Sequence, residues 1–202
     1  MRKVEVSASI DALLRPLLES WLTTFEEACW TFPQTKREWF TEPTLLALLS
    51  SASWRVGLPS IVEVKATRAD VKNPKLDLLI GLTPKPSASL PIKESNGLAV
   101  EAKVEYIPSP RCVRRITHGL RDALEEAKGV SHSQATRYFG LVFAVMERHD
   151  PSIDLKTLKA TIERVRSDQP DALAWTLLDQ PDAVYRGCVL AARETRRGEG
   201  LA

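Results

Sequence analysis

Apolar residues recur at helical spacing near the start of the chain. They predict a first helix that begins near Ser7 or Ser9 and runs to about Trp30. Thr41 can cap a second helix, with Pro43 in its first turn and an apolar run behind it. The apolar positions of the first helix are Ile10, Leu13, Leu14, Leu17, Leu18, Trp21, Leu22 and Phe25.

The hydrophobic period then changes from that of helices to that of strands. Apolar runs at 61–66, 76–80 and 98–107 predict three strands in succession. Residues 83–97 are rich in Pro, Ser and Lys and predict a long loop between the last two, of a kind that often serves function. Because no helix separates the three strands, we expect a meander and therefore a mixed sheet.

A second helical segment and a buried strand follow. Ser109 and Pro110 predict the start of a helix that ends at Gly129, with Ser109 as its cap. The nearly continuous apolar run 138–146 predicts a central strand buried on both faces. The remaining predicted elements are a helix at about 153–166 and short strands at 174–178 and 184–191.

These elements predict an α/β fold in a single domain, 1–202. Its centre is a mixed four-stranded sheet flanked by helices, at about 41–146. The first helix and a C-terminal helix with strands, at about 150–195, are expected as additions to this core.

Composition fits a folded cytoplasmic protein. The chain has 44% hydrophobic and 27% charged residues, and its net charge of +2 requires any basic surface to be local. Its three cysteines are far apart, which predicts neither a disulfide framework nor a zinc site. Neither a secretory signal nor the run of roughly 20 apolar residues that a membrane span needs is evident, so we expect no membrane association.

The strand at 98–107 carries the most informative polar residues. Its alternation places Glu101, Lys103 and Glu105 on one face and apolar side chains on the other. Glu101 and Lys103 lie about 6.6 Å apart along the strand, so both can reach one small ligand. If the preceding strand is paired with this one, Asp77 lies opposite Glu101, and a divalent cation would remove the repulsion between the two carboxylates.

Asp77, then a loop, then Glu101-Ala102-Lys103 on a strand resembles the motif of the PD-(D/E)xK nucleases, the superfamily of type II restriction endonucleases. Pro74 precedes Asp77 by three positions rather than one, so the first part of the motif is loose. The family core is a helix, three antiparallel strands, a helix and a fourth strand, and residues 41–146 are predicted in that order. The resemblance therefore implies a restriction-endonuclease-like core over about half of the chain.

The resemblance also implies roles for individual residues. Asp77 and Glu101 would bind Mg²⁺, or Mn²⁺ in its place, together with the main-chain carbonyl of Ala102. Lys103 would orient or deprotonate the attacking water and stabilise charge on the phosphate. The family often has an acidic residue in the helix before the sheet, and Glu42 is the candidate here.

An alternative explanation of the motif is a solvated sheet face, since Glu-x-Lys is common on half-exposed strands. Glu63-Val64-Lys65 has the same pattern. We favour 101–103 because Asp77 lies in the apolar run of the preceding strand and a basic helix follows the motif.

That basic helix predicts contacts with nucleic-acid phosphates, although a solvated helix face would show the same pattern. Gln134 and Arg137 could extend the groove. The candidate binding residues on the helix are Arg111, Arg114, Arg115, His118 and Arg121.

The sequence thus predicts a Mg²⁺-dependent endonuclease that acts on nucleic acid, with DNA favoured over RNA. A double-strand cutter would need a homodimer, since one site attacks one phosphodiester at a time. The alternatives are a non-catalytic protein of the same fold that binds nucleic acid or a protein partner, and an unrelated α/β protein in which the motif is accidental.

Overall fold

The computed structural model describes residues 1–31, 40–67, 75–82, 96–147, 151–178 and 185–195. These residues form an α/β structure with four α-helices around one mixed sheet. The helices are α1 (Asp11–Thr31), α2 (Glu42–Arg55), α3 (Arg114–Gly129) and α4 (Pro151–Ser167). The strands are β1 (Arg2–Val6), β2 (Ser60–Lys65), β3 (Lys75–Gly81), β4 (Gly97–Tyr106), β5 (Ala135–Glu147), β6 (Ala172–Leu177) and β7 (Tyr185–Glu194).

The sheet has the strand order β1-β6-β7-β5-β4-β3-β2. Strands β2, β3 and β4 form an antiparallel meander, as their proximity in sequence predicts. After α3 the chain returns as β5, which pairs with β4 in parallel. A parallel neighbour needs a crossover connection, and α3 supplies it.

The helices cover both faces of the sheet. On one face α1 and α2 pack against the sheet in the largest apolar cluster, which includes Trp21, Leu45, Val100 and Phe143. On the other face α3 and α4 pack over β5 and β7 in a second cluster. Strand β5 is therefore covered on both sides, which explains its nearly continuous apolar sequence.

The prediction of a four-stranded sheet was wrong, because the described residues form one sheet of seven strands. The C-terminal strands are not an appendage: β7 pairs with β5 along most of its length, and β6 pairs with β7. If the apolar strand β5 lay at the edge of the sheet, one side of its backbone would have unpaired N–H and C=O groups. Strand β7 pairs with that side of β5. Strand β1 was missed because it is only five residues long and three of them, Arg2, Lys3 and Glu5, are charged.

Two predicted helix starts also differ. Helix α1 begins at Asp11 rather than near Ser7 or Ser9, because residues 8–10 form a turn between β1 and the helix. Ser109 does not cap α3 with its side chain: a short 3-10 turn, Pro110–Cys112, intervenes before α3 begins at Arg114. Most of the predicted 83–97 loop, and Pro74, lie outside the described residues. Among the described residues, no helix has the length and apolar character of a membrane span.

Candidate active site

The site lies where β3 and β4 separate. Their backbone pairing runs from Gly81↔Gly97 to Leu78↔Val100. Beyond this pair the amide N–H of Ala102 donates to the carboxylate oxygen Oδ2 of Asp77, at 2.8 Å. A side chain thus takes the place of a backbone acceptor, and the Asp77 carboxylate lies in the opening between the strands.

The packing of β3 changes at the same residue. Leu78 and Ile80 belong to the cluster beneath α1 and α2, whereas Leu76 belongs to a small cluster with Leu79 and Ala99. In a regular strand Leu76 and Leu78 would share a face, so the alternation is interrupted at Asp77. The interruption lets a polar side chain occupy a strand that is otherwise buried.

Glu101 is the most unusual residue of the site. Its side chain lies on the α3 face of β4 and is only 3% exposed. Its Oε1 atom is buried and has no hydrogen-bond partner among the described residues. Burial, the negative charge of Asp77 and a hydrogen bond to Asp77 raise the pKa of Glu101 to about 8. Glu101 therefore retains its proton at neutral pH.

Lys103 follows on the same face of β4. Its Nζ donates to Oε2 of Glu126 on α3 at 2.6 Å, and both side chains are about one-third exposed, at 30% and 31%. Burial disfavours the charged form of Lys103. The hydrogen bond to Glu126 and its negative charge outweigh burial and raise the pKa of Lys103, and the charges of Glu42 and Asp77 add smaller contributions. Lys103 is therefore a charged ammonium with one fixed partner.

Glu42 approaches Asp77 and Lys103 from the face of the sheet that α2 covers. It is the first residue of α2 and is partly buried. Burial and the charge of Asp77 raise its pKa, while Lys103 opposes the rise. The Tyr106 hydroxyl donates to the carbonyl of Phe40 at 2.8 Å, which ties the approach to α2 to the end of β4.

Two glycines let α3 approach this part of the sheet. Gly140 of β5 lies beside Glu101, and a Cβ at Gly140 would meet the backbone N of Leu124 at 2.5 Å. A Cβ at Gly119 would meet the Cγ of Glu105 at 3.0 Å. Close approach of α3 covers Glu101 and brings Glu126 within reach of Lys103.

The basic residues of α3 divide into two groups. Arg115 and His118 lie near Glu105, since their charges act on its carboxyl group, whose pKa burial raises. Arg121 contacts the Nδ1 atom of His118 at 3.1 Å. The exposed Arg111 and Arg114 are near the start of α3, further from Glu101 along the helix. Only Arg115 and His118 border the face of β4 that carries Lys103, whereas Arg121 lies at the edge of that group.

Arg137 does not join the groove, contrary to expectation. It forms two hydrogen bonds to the carboxylate of Glu194, at 2.6 and 2.5 Å. It lies at the start of β5 opposite Leu98, on the far side of the paired segment from Lys103. The exposed Gln134 precedes β5 at the same end of the sheet. Both side chains are therefore remote from Asp77 and Glu101.

The donor set is compatible with a hard divalent cation, although it is incomplete. Among the described residues, no three His, Cys, Asp or Glu side chains are arranged as a metal site. Two neighbouring carboxyl groups, one with a buried oxygen atom lacking a partner among the described residues, are nevertheless a pair that a cation would stabilise. We expect the Ala102 carbonyl to face the same opening, because the N–H and C=O of one residue point to the same neighbouring strand. Waters and a substrate phosphate would complete the coordination shell of the cation.

Comparisons with models of protein families, with curated proteins and with solved structures find no match for this chain. The site must therefore be judged on its own geometry.

Sequence reasoning missed Glu126. A signal was present: Glu126 follows Arg115 by eleven residues, or three helical turns, and Asp122 by four, so all three share one stripe of α3. That stripe faces Glu105 and Lys103.

Proposed function

We propose that this protein is a Mg²⁺-dependent endonuclease that hydrolyses phosphodiester bonds of DNA. One observation carries the proposal: the buried Glu101 carboxyl, with an oxygen atom lacking a partner, lies beside Asp77 and two residues before a charged lysine. A structural glutamate in a sheet would normally have its oxygen atoms satisfied.

Each residue has a chemical task in this proposal. Asp77 and Glu101 would hold the cation, which would supply a bound water of lowered pKa and polarise the phosphoryl oxygen. Lys103 donates to the scissile phosphate or orients the water, and Glu126 fixes the flexible lysine stem by a 2.6 Å ion pair. Glu42 would help to hold the cation or position a bound water. The expected products carry 5′-phosphate and 3′-hydroxyl ends.

The element order supports the restriction-endonuclease-like interpretation. Helix α2, the meander β2-β3-β4, helix α3 and the parallel strand β5 follow the order of that core. The opening between β3 and β4 lies on the middle strands of this unit. The basic residues Arg115 and His118 border the same face and would contact the phosphates of a bound strand.

The test is a cleavage assay with purified protein. Supercoiled plasmid, linear duplex and single-stranded DNA are incubated with Mg²⁺ or Mn²⁺, and the ends are analysed by ligation and kinase labelling. Wild-type protein should cut at least one substrate, and Asp77→Asn and Glu101→Gln should not. If all three proteins leave every substrate intact, or if all three cut equally, the assignment fails.

A second function is favoured by one observation. The Lys103 ammonium is already held by Glu126, as it would be in a protein that binds nucleic acid without cutting it. Binding of labelled DNA in EDTA at several salt concentrations separates the two functions. Salt-dependent binding without cleavage in Mg²⁺ or Mn²⁺ would favour the non-catalytic protein, and failure to bind would direct attention to a protein partner.

A further inference from the structure

A cleft lies on the opposite flank of α3 from the Lys103–Glu126 pair. Its volume is about 650 Å³, within the range of small-molecule sites. It is bounded by α3, by residues 168–171 after α4 and by the end of β7. Its lining residues are Thr117, Leu120, Arg121, Leu124, Glu125, Lys128, Asp168, Gln169, Asp171, Arg193, Glu194 and Thr195.

The acidic side chains of the cleft are mostly engaged by the protein itself. Asp168 accepts a hydrogen bond from the Thr117 hydroxyl at 2.9 Å and lies 3.8 Å from Arg164. Asp171 accepts the backbone N–H of Glu194 at 2.7 Å. The carboxylate of Glu194 is itself taken by Arg137, as described above. These acids are therefore poor receptors for a cationic ligand.

The cations of the cleft are less fully engaged. Arg193 is exposed and forms no ion pair among the described residues. Arg121 is 64% exposed, and its nearest carboxylate oxygen, on Asp122, is 3.8 Å away. Lys128 has a 2.9 Å ion pair with Glu125, but the two side chains are 43% and 64% exposed, where such pairs contribute little. The open side of the cleft therefore offers cations from two elements.

The rest of the lining is suited to a flat, partly apolar group. Leu124 of α3 is partly exposed and provides apolar surface, and Arg193 lies opposite Gly140, where α3 approaches the sheet closely. Gln169 adds an amide that can donate or accept hydrogen bonds, whereas the Thr195 hydroxyl already donates to the carbonyl of Tyr138 at 3.3 Å.

From these features we infer a second ligand site, in which Arg121 and Arg193 bind the phosphate of a nucleotide whose base lies against Leu124. The nucleotide is either free or the end of a nucleic-acid strand, since both present the same phosphate and base. The site is independent of Asp77 and Glu101, which lie on the other flank of α3.

Binding to the full chain in EDTA tests this inference without any need for cleavage. The probes are inorganic phosphate, AMP, and a short single-stranded DNA with and without a 5′-phosphate, each followed by amide shifts in NMR spectra. AMP should shift the amides of Gln169, Arg193 and Thr195 and leave 101–103 unchanged. Preference for AMP would indicate a free nucleotide, and preference for the 5′-phosphorylated strand would indicate a strand end.

The double variant Arg121→Gln/Arg193→Gln should weaken this binding at least tenfold. Arg55→Gln is the matched control, because Arg55 is 48% exposed and belongs to α2, on the other face of the sheet. The inference is overturned if no probe binds the wild type, if phosphate alone binds as tightly as AMP, or if the double variant binds like Arg55→Gln. Wild-type protein that cuts DNA but binds no nucleotide would contradict this inference alone, and binding without cutting would contradict the nuclease alone.

Discussion

Two strands of the same meander carry the pattern Glu-x-Lys, and their surroundings differ sharply. In β2 the side chain of Glu63 is 61% exposed and forms a 2.6 Å ion pair with Lys75. In β4 Glu101 is 3% exposed, lies beside Asp77 and has an oxygen atom without a hydrogen-bond partner among the described residues. The difference arises from position, since β2 is at the edge of the sheet and β4 is inside it beneath α3.

This comparison shows why a tripeptide is weak evidence for a site. Edge strands carry charged residues because water solvates them, and they protect the edge from pairing with other chains. An interior carboxylate loses its hydration and is retained only where something stabilises it. The predictions below use the β2 residues as matched controls for the β4 residues.

The largest effect is expected from removing a carboxylate of the β4 site. Asp77→Asn or Glu101→Gln should lower the cleavage rate roughly 1,000-fold or more, because metal activation contributes several kcal/mol to the barrier. Glu63→Gln removes the same charge from the edge strand and should leave the rate within about twofold. Initial rates on plasmid DNA at saturating Mg²⁺ provide the measurement, and equal losses in the β2 and β4 variants would contradict the assignment.

Removing the lysine of each Glu-x-Lys pattern should also lower the cleavage rate only at the β4 site, by a smaller factor than removing a carboxylate. Lys103→Ala should reduce kcat roughly 100-fold, as expected for one positioned proton-transfer or charge-stabilising group. Lys65→Ala, on the edge strand, should have no such effect. Both variants should bind DNA in EDTA nearly as well as the wild type, so a loss confined to binding would argue against a catalytic lysine.

A methyl group at Gly140 should separate α3 from the sheet. The new Cβ would lie 2.5 Å from the backbone of Leu124, so the helix must move, and Gly140→Ala should cost about 2 kcal/mol of unfolding free energy. Gly81→Ala is the control, because its Cβ would meet the Pro59 side chain at 3.2 Å, a milder conflict. Chemical denaturation measures both, and a neutral Gly140→Ala would show that α3 is not held this closely.

The site should reduce the stability of the metal-free protein as pH rises. Folding raises the pKa of Glu101 from 4.5 to about 8, so the folded chain retains a proton that the unfolded chain releases. This contribution favours folding below pH 4.5 and is lost as pH rises towards 8. In EDTA, Glu101→Gln should therefore be stabilised relative to wild type by about 1 to 2 kcal/mol at pH 8, or roughly 3–6 °C in Tm.

The same comparison at pH 5 should show a much smaller difference, because wild-type Glu101 then carries its proton in the folded state. Glu63→Gln should show no pH-dependent gain. If the Tm difference between Glu101→Gln and wild type is constant from pH 5 to pH 8, folding does not raise the pKa of Glu101, contrary to the structure.

The smallest effect concerns the residue that fixes the lysine. Glu126→Gln should lower kcat about fivefold to tenfold with little change in KM, because the stem of Lys103 regains rotamer freedom. Glu125→Gln changes the same charge one position earlier, where the partner is Lys128, and should be nearly neutral. An increase in kcat for Glu126→Gln would show instead that the ion pair restrains the lysine from acting.

The sequence was sufficient for those features that depend on local periodicity. It predicted the order of α2, the meander, α3 and β5, and it placed Glu101 and Lys103 on one face of β4. It predicted strands near β6 and β7 but not that they join the central sheet, because the pairing of β7 with β5 joins residues about 50 positions apart in the chain. Long-range pairing of this kind is set by tertiary contacts that no short window contains.

The candidate site likewise has features that follow from local periodicity and features that depend on long-range contacts. The opposition of Asp77 and Glu101 followed from the antiparallel register, but the interruption at Asp77 and its bond to the Ala102 amide did not. The role of Glu126 depends on how closely α3 packs, which two glycines in different elements determine. The basic helix was located in the chain, but which of its arginines border β4 depends on the rotation of α3.

Metal binding is the most direct test of the account. Isothermal titration of metal-free protein with Mn²⁺ at pH 7.5 should show a saturable site in the wild type and in Glu63→Gln, with release of the Glu101 proton. Asp77→Asn and Glu101→Gln should lose that site. Saturable binding that survives in both of these variants, or no binding in the wild type, would contradict the claim that these two carboxylates form a metal centre.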